Sequence, residues 1–132
     1  RTGTFSLAER EVASLSGGQR QRVWIAMVLA QQTRVLLLDE PTTYLDLAHQ
    51  IELMNLITNL VRDHSKTVIA VLHDLNQAAR YAEHIVMLKG GKITAAGRPE
   101  DVISEAAIAD VFGVHSVIIR DPVAGTPLCV PL

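Results

Sequence analysis

The sequence predicts an α/β layer in which parallel strands alternate with flanking helices, and three observations predict it. Residues 35–38 (VLLL) and 67–72 (TVIAVL) are continuous runs without polar alternation, the pattern of parallel strands covered on both faces. Around them stand segments whose apolar residues recur at helical spacing, so strand, helix, strand, helix and strand follow one another. The composition agrees: hydrophobic residues make up 48% of 132 and aromatics 4%, so the core is aliphatic. That length suits one domain with a real core and no more.

Taken in order, Ser16 is a helix N-cap, and residues 17–32 follow with strong helix formers. Val23, Ile25, Ala26, Met27, Val28, Leu29 and Ala30 cover nearly every direction around that helix, which predicts that it is buried. The strand at 35–38 runs into Asp39, Glu40 and Pro41, where proline and Thr42 end it and direct the exit. Over 46–64, Leu47, Ile51, Met54, Ile57, Leu60 and Val61 keep helical spacing, with Asp46 as cap. The second strand, 67–72, meets His73 and Asp74, and 75–83 is a short helix. Residues 84–88 and 92–96 are strands joined by the tight turn Lys89-Gly90-Gly91, a hairpin signal. Pro99 opens a short helix and Ser104 caps another that runs to Phe112. The tail SVIIRDPVAGTPLCVPL, punctuated by Pro and Gly, predicts one short strand and an extended end.

Several function classes are excluded. A net charge of −2 provides no basic field for nucleic acid, and Trp24 and Tyr44 are too few for a base-stacking platform. The longest wholly apolar run, residues 23–30, is far short of the roughly 20 residues needed to cross a bilayer. No signal peptide opens the chain; RTGTFSLAERE lacks a methionine and reads as a sequence entered mid-way. The single cysteine, Cys129, forms no internal disulfide, fits a reducing compartment, and reads as a small apolar residue. His64, His84 and His115 have no metal-ligand company, and His49 reads as helix surface.

Two motifs carry chemistry. In open α/β sheets ligands sit at the carboxyl ends of strands, where Asp39 and His73 fall. Asp39 there can hold Mg²⁺ directly or through water, and Glu40 can accept a proton from an attacking water. Two solvated acids at a strand exit are also common. In LSGGQ, residues 15–19, Ser16 and two glycines put free N–H groups, a hydroxyl and no bulk at a helix start, which suits an anion. Isolated, that segment reads more readily as a glycine-loosened helix start with no ligand, each interior glycine costing roughly 1 kcal/mol against alanine.

Together the motifs narrow the choice. LSGGQ, then a helix, then VLLLDEP, then Asp46, then an apolar strand ending in His73, resembles the ATPase domain of ABC (ATP-binding cassette) proteins. On that resemblance residues 15–19 match the signature motif, 35–40 the Walker B strand, 43–46 the D-loop and His73 the switch histidine. The resemblance implies a P-loop NTPase-like core using ATP and Mg²⁺. Asp39 would support Mg²⁺, Glu40 would polarise the attacking water, and His73 would hydrogen-bond the γ-phosphate. Ser16, Gly17, Gly18 and Gln19 would close over ATP bound to a second ATPase subunit, with Asp46 along that dimer interface. Residues 1–32 would end a helical subdomain, 33–98 would carry the core strands, and 99–132 the C-terminal helices and tail.

One required part is missing from these residues. A phosphate loop reads G-x-x-x-x-G-K-[ST]. The nearest match is Gly91-Lys92, but Ile93 follows it, Val86 stands in the first glycine's place, and it lies in a hairpin. The chain therefore resembles the second half of an ABC ATPase domain, inactive alone and prone to oligomerise through exposed strand edges and apolar faces. PTTYLDLAHQIELMNLI, AVLHDLNQAARYAEHIVMLKGGKI and the tail DPVAGTPLCVPL resemble ATPase subunits of bacterial ferric-siderophore importers of the ferric-enterobactin type. That implies a peripheral subunit on the cytoplasmic face of the inner membrane, a homodimer driving transmembrane permease subunits. Haem and vitamin B12 importers belong to the same subfamily, and a non-catalytic ABC-fold module is the rival; Asp39, Glu40 and His73 together oppose the latter.

Overall fold

A computed structural model describes residues 3–30 and 32–132, without the side chains of residues 21, 28, 29 and 64. Expectations resting on Arg1, Thr2 and Gln31, and on burial of Val28 and Leu29, lie outside the described residues. Two 3-10 turns, Phe5–Leu7 and Val12–Ser14, lead into α1 (Gly17–Ala30). Then come β1 (Val35–Asp39), α2 (Leu47–His64), β2 (Thr67–Val71), α3 (Leu75–Tyr81), β3 (Ile85–Lys89) and β4 (Lys92–Gly97). The order ends with α4 (Pro99–Val102), α5 (Glu105–Phe112), β5 (Ser116–Arg120) and β6 (Pro127–Pro131). The chain divides into two compact units, Arg1–Val71 and Leu72–Leu132.

In the first unit β1 and β2 pair in parallel, from Val35 beside Thr67 to Asp39 beside Val71. The ladder is carried one residue further by Glu40, whose N–H donates to the Val71 carbonyl at 3.2 Å. α2 starts where it should: the Asp46 carboxylate accepts the His49 N–H, so the cap supplies an acceptor that the first turn lacks. Leu53, Met54, Ile57 and Leu60 are buried along one side of α2, which lies against β2. The buried stripe departs from expectation at its start, because Leu47 and Ile51 are exposed and Leu53 takes the inner position.

Two sequence expectations about burial are corrected. β1 and β2 are covered on one face only: Leu36 is buried, whereas Val35, Leu37, Ile69 and Val71 are exposed, Leu37 at 74%. α1 is not buried all round either, since Ile25 is buried but Trp24 and Met27 are more than half exposed. Apolar patterning specifies which surfaces require cover; the described residues cover one side of each element.

The second unit packs around Ala79, Ile85, Met87, Val102, Ile103, Ile108 and Cys129. β3 and β4 form the predicted antiparallel hairpin, with Gly90 and Gly91 both at positive φ as a two-residue turn of that hand demands. A register shift at Met87/Leu88 interrupts the pairing. β3 pairs with β4 and not with the parallel pair, so among the described residues only β1 and β2 are parallel. The tail is corrected as well: it forms a second hairpin, β5 with β6, rather than one strand and an extended end. Asp121 builds the reversal by accepting the Val123 and Ala124 N–H groups, while Gly125 donates to the Asp121 carbonyl. Pro127 and Pro131 sit in β6, which has one strand neighbour, so their missing N–H groups break no second ladder.

Candidate functional site

The mouth of α1 is a reciprocal cap. Ser16 Oγ accepts the Gln19 N–H at 3.3 Å, and Gln19 Oε1 accepts the Ser16 N–H at 3.0 Å. This is the S-x-x-Q form of the capping box, so both polar side chains of the motif are spent on holding the turn. Arg20 adds to it by donating from its guanidinium to the Leu15 carbonyl at 3.2 Å. The N–H groups of Gly17 and Gly18 have no carbonyl one turn earlier to receive them, as at any helix start.

The two glycines differ. A Cβ built on Gly17 meets nothing within 4 Å, so that position opens outward. A Cβ on Gly18 would stand 2.7 Å from His49 Cδ2 and 3.2 Å from both Cγ and Nε2 of the same ring. The ring is fixed there by Asp46, whose Oδ1 lies 2.7 Å from His49 Nδ1. The signature turn and the cap of α2 thus meet through one imidazole. Asp46 is held below the ordinary carboxylate range, chiefly by the His49 backbone N–H and then by the His49 ring. The preceding turn is clamped by Gln50, whose amide donates to the Leu45 carbonyl at 2.9 Å and reaches the Thr42 carbonyl at 3.4 Å.

The other part of the site is the carboxyl end of β1. Asp39 and Glu40 are both exposed there, at the strand end where ligands of α/β sheets collect. Glu40 adopts φ +46°, a left-handed conformation that costs a non-glycine residue on the order of 1–3 kcal/mol. The turn that follows supports it: Thr43 N–H donates to the Glu40 carbonyl, and Thr43 Oγ1 donates to Glu40 Oε2 at 3.3 Å. Of the two carboxylates at this strand end, the backbone strain therefore falls on Glu40. His73 follows β2 by two residues and belongs to the second unit, where Asp74 caps α3 through the Gln77 N–H.

Ser16, Gly17, Gly18, Gln19 and Asp46 thus share one cluster, and Asp39 and Glu40 share another in the same unit. Among the described residues no three His, Cys, Asp or Glu side chains gather to hold a metal by themselves. Asp39 fits a Mg²⁺ of the kind bound through one or two carboxylates, waters and substrate phosphates, and not a preformed cage. From the sequence alone His49 reads as helix surface, and nothing there singles out Gln50. The D-x-x-H spacing in LDLAHQ was the available signal, since it puts the imidazole back over the capping carboxylate.

Comparison with known proteins bears on what this geometry serves. The family model described as ABC transporter matches residues 1–43. The ferric enterobactin transport ATP-binding protein FepC of Escherichia coli K12 is 56% identical over 131 residues, covering 99% of this chain and 48% of FepC. The achromobactin transport ATP-binding protein CbrD of Dickeya dadantii is 58% identical over 130 residues, covering 98% of this chain and 48% of CbrD. A solved ABC transporter in an inward-facing conformation superposes with TM-score 0.89 at 30% identity, covering 99% of this chain and 53% of that one. The chain spans about half the length of the curated relatives it matches.

Proposed function

Since the chain belongs to the ABC transporter ATP-binding family, we propose that it is the second half of the ATPase subunit of a bacterial importer for ferric siderophores. The observation that carries the reading is the helix mouth: a closed capping box beside an open Gly17, in a chain more than half identical to two siderophore-transport ATP-binding proteins. These two relatives are named for different chelates at nearly equal identity. That supports a cargo class, not one cargo. We infer further that residues 1–32 end a helical subdomain, 33–98 carry the catalytic core, and 99–132 complete the C-terminal part.

In this function the chain's residues divide the work. The N–H groups at the mouth of α1 receive the γ-phosphate oxygens of ATP held by a second copy, with the helix end supplying partial positive charge. Ser16 and Gln19 keep that turn rigid, so its donors are preorganised. Asp46 lies along the face that meets the other subunit. Glu40, aimed by its left-handed backbone and by Thr43, takes up the proton of the attacking water. His73 hydrogen-bonds the γ-phosphate. Asp39 would hold Mg²⁺, which when bound would offset the charge of the phosphates. The complete subunit lies at the cytoplasmic face of the inner membrane and moves permease subunits as two copies close and open.

Steady-state ATP turnover by the whole subunit, with and without Glu40→Gln, tests this reading. The expected outcome is turnover in the parent, loss of at least about a hundredfold in the variant, and retained ATP binding. The 132-residue chain alone should neither bind ATP tightly nor hydrolyse it. Turnover that survives Glu40→Gln, or tight binding by the isolated chain, would overturn the assignment. Growth on individual iron chelates after deletion of the gene identifies the cargo.

A further inference from the structure

The glycine pair of the signature turn has two different environments, and the difference lies inside this chain. Gly17 faces open space. Gly18 is half-buried under the ring of His49, close enough that a methyl group there would overlap Cδ2. That ring has no freedom to step aside cheaply. Its Nδ1 is 2.7 Å from Asp46 Oδ1, and its own backbone N–H is bonded to the same carboxylate oxygen at 2.9 Å. One turn further along both helices, Arg22 and Glu52 pair at 3.6 Å, so α1 and α2 are also tied beyond the ring.

We propose that His49 is a positioning residue for the signature turn: its ring, oriented by Asp46, occupies the space that Gly18 leaves. The absent side chain at Gly18 therefore serves packing within the subunit, and the absent side chain at Gly17 leaves room for the partner's nucleotide. The carboxylate of the dimer-facing loop and the phosphate-facing helix mouth then move as one piece, because a single imidazole is wedged between them. The coupling to catalysis rests on the function proposed above; the steric seat does not.

The test uses the whole subunit. Thermal unfolding without nucleotide reads the seat. Gly18→Ala should lower the melting temperature, Gly17→Ala should not, and Gly18→Ala should cost little once His49→Ala is also present. Equal losses from Gly18→Ala with and without His49 would overturn the seat. Turnover reads the positioning: His49→Ala should lower kcat by about tenfold or more through misplacement of the helix mouth. KM for ATP should stay within about twofold, since ATP is held mainly by the other subunit's phosphate loop. An unchanged kcat would overturn the positioning role. Absence of turnover in the parent would count against the proposed function alone, since the unfolding arm is read without ATP.

Discussion

Asp46 and Asp121 do the same local work in different units: each carboxylate accepts two backbone or ring donors and shapes a turn. Asp121 is lowered from its ordinary value first by the Val123 N–H, then the Ala124 N–H, with the charge of Arg80 adding to these. Both are depressed in the folded state, so each favours folding while it is ionised. Their stabilisation is complete above the unfolded carboxylate value near ~4 and is lost as pH falls through the lower folded values. Carboxyl-carbon NMR titration should therefore place both midpoints below the ordinary range, and Asp121→Asn should remove part of the acid sensitivity of unfolding. At this scale the sequence was highly legible. Asp46, Ser16 and Ser104 are caps because their spacing to the next N–H is local, and each does accept it. The seat of His49 on Gly18 was not legible, since it joins residues on two helices whose approach no local pattern encodes.

Element by element, the helices and the first four strands follow the sequence reading, and the tail does not. Its Pro and Gly residues read as punctuation, yet β5 and β6 form a ladder because Asp121 and Gly125 complete the reversal. What anchors that hairpin is a side chain from elsewhere. Asn76, on α3, donates to the Cys129 carbonyl at 3.0 Å and accepts the Cys129 N–H at 2.7 Å. Asn76 thus satisfies both backbone groups of a buried residue in β6. Replacing it with alanine should cost about 2–4 kcal/mol, since two part-buried groups lose their partner. The loss should be concentrated in β6, read as faster amide hydrogen exchange there than in β3. A uniform rise in exchange across the unit would contradict that local role.

For the whole molecule, the exposed face of the parallel pair sets the main consequence. Val35, Leu37, Ile69 and Val71 form an apolar surface on the strands that carry Asp39. Such a face requires cover or it associates with other apolar surface. The proposed role as half of a larger ATPase domain supplies the cover from the other half. In the isolated chain, Leu37→Lys should leave stability nearly unchanged and reduce self-association, measured by sedimentation. Leu36→Lys should unfold the first unit, because it puts a charge where Leu36 is buried. In the whole subunit, Leu37→Lys should instead be strongly destabilising; stability equal to the parent would show that nothing covers the face.

By itself the sequence determined the α/β class, the position of most elements, the caps, and the motif order that identifies the family, because these depend on spacing along the chain and on backbone chemistry within a turn. The tertiary structure decided which apolar faces are covered, that the tail folds back as a hairpin, and that His49 fills the place beside Gly18. Those outcomes depend on which surfaces meet across long stretches of chain, and hydrophobic patterning records the need for a partner without recording its address.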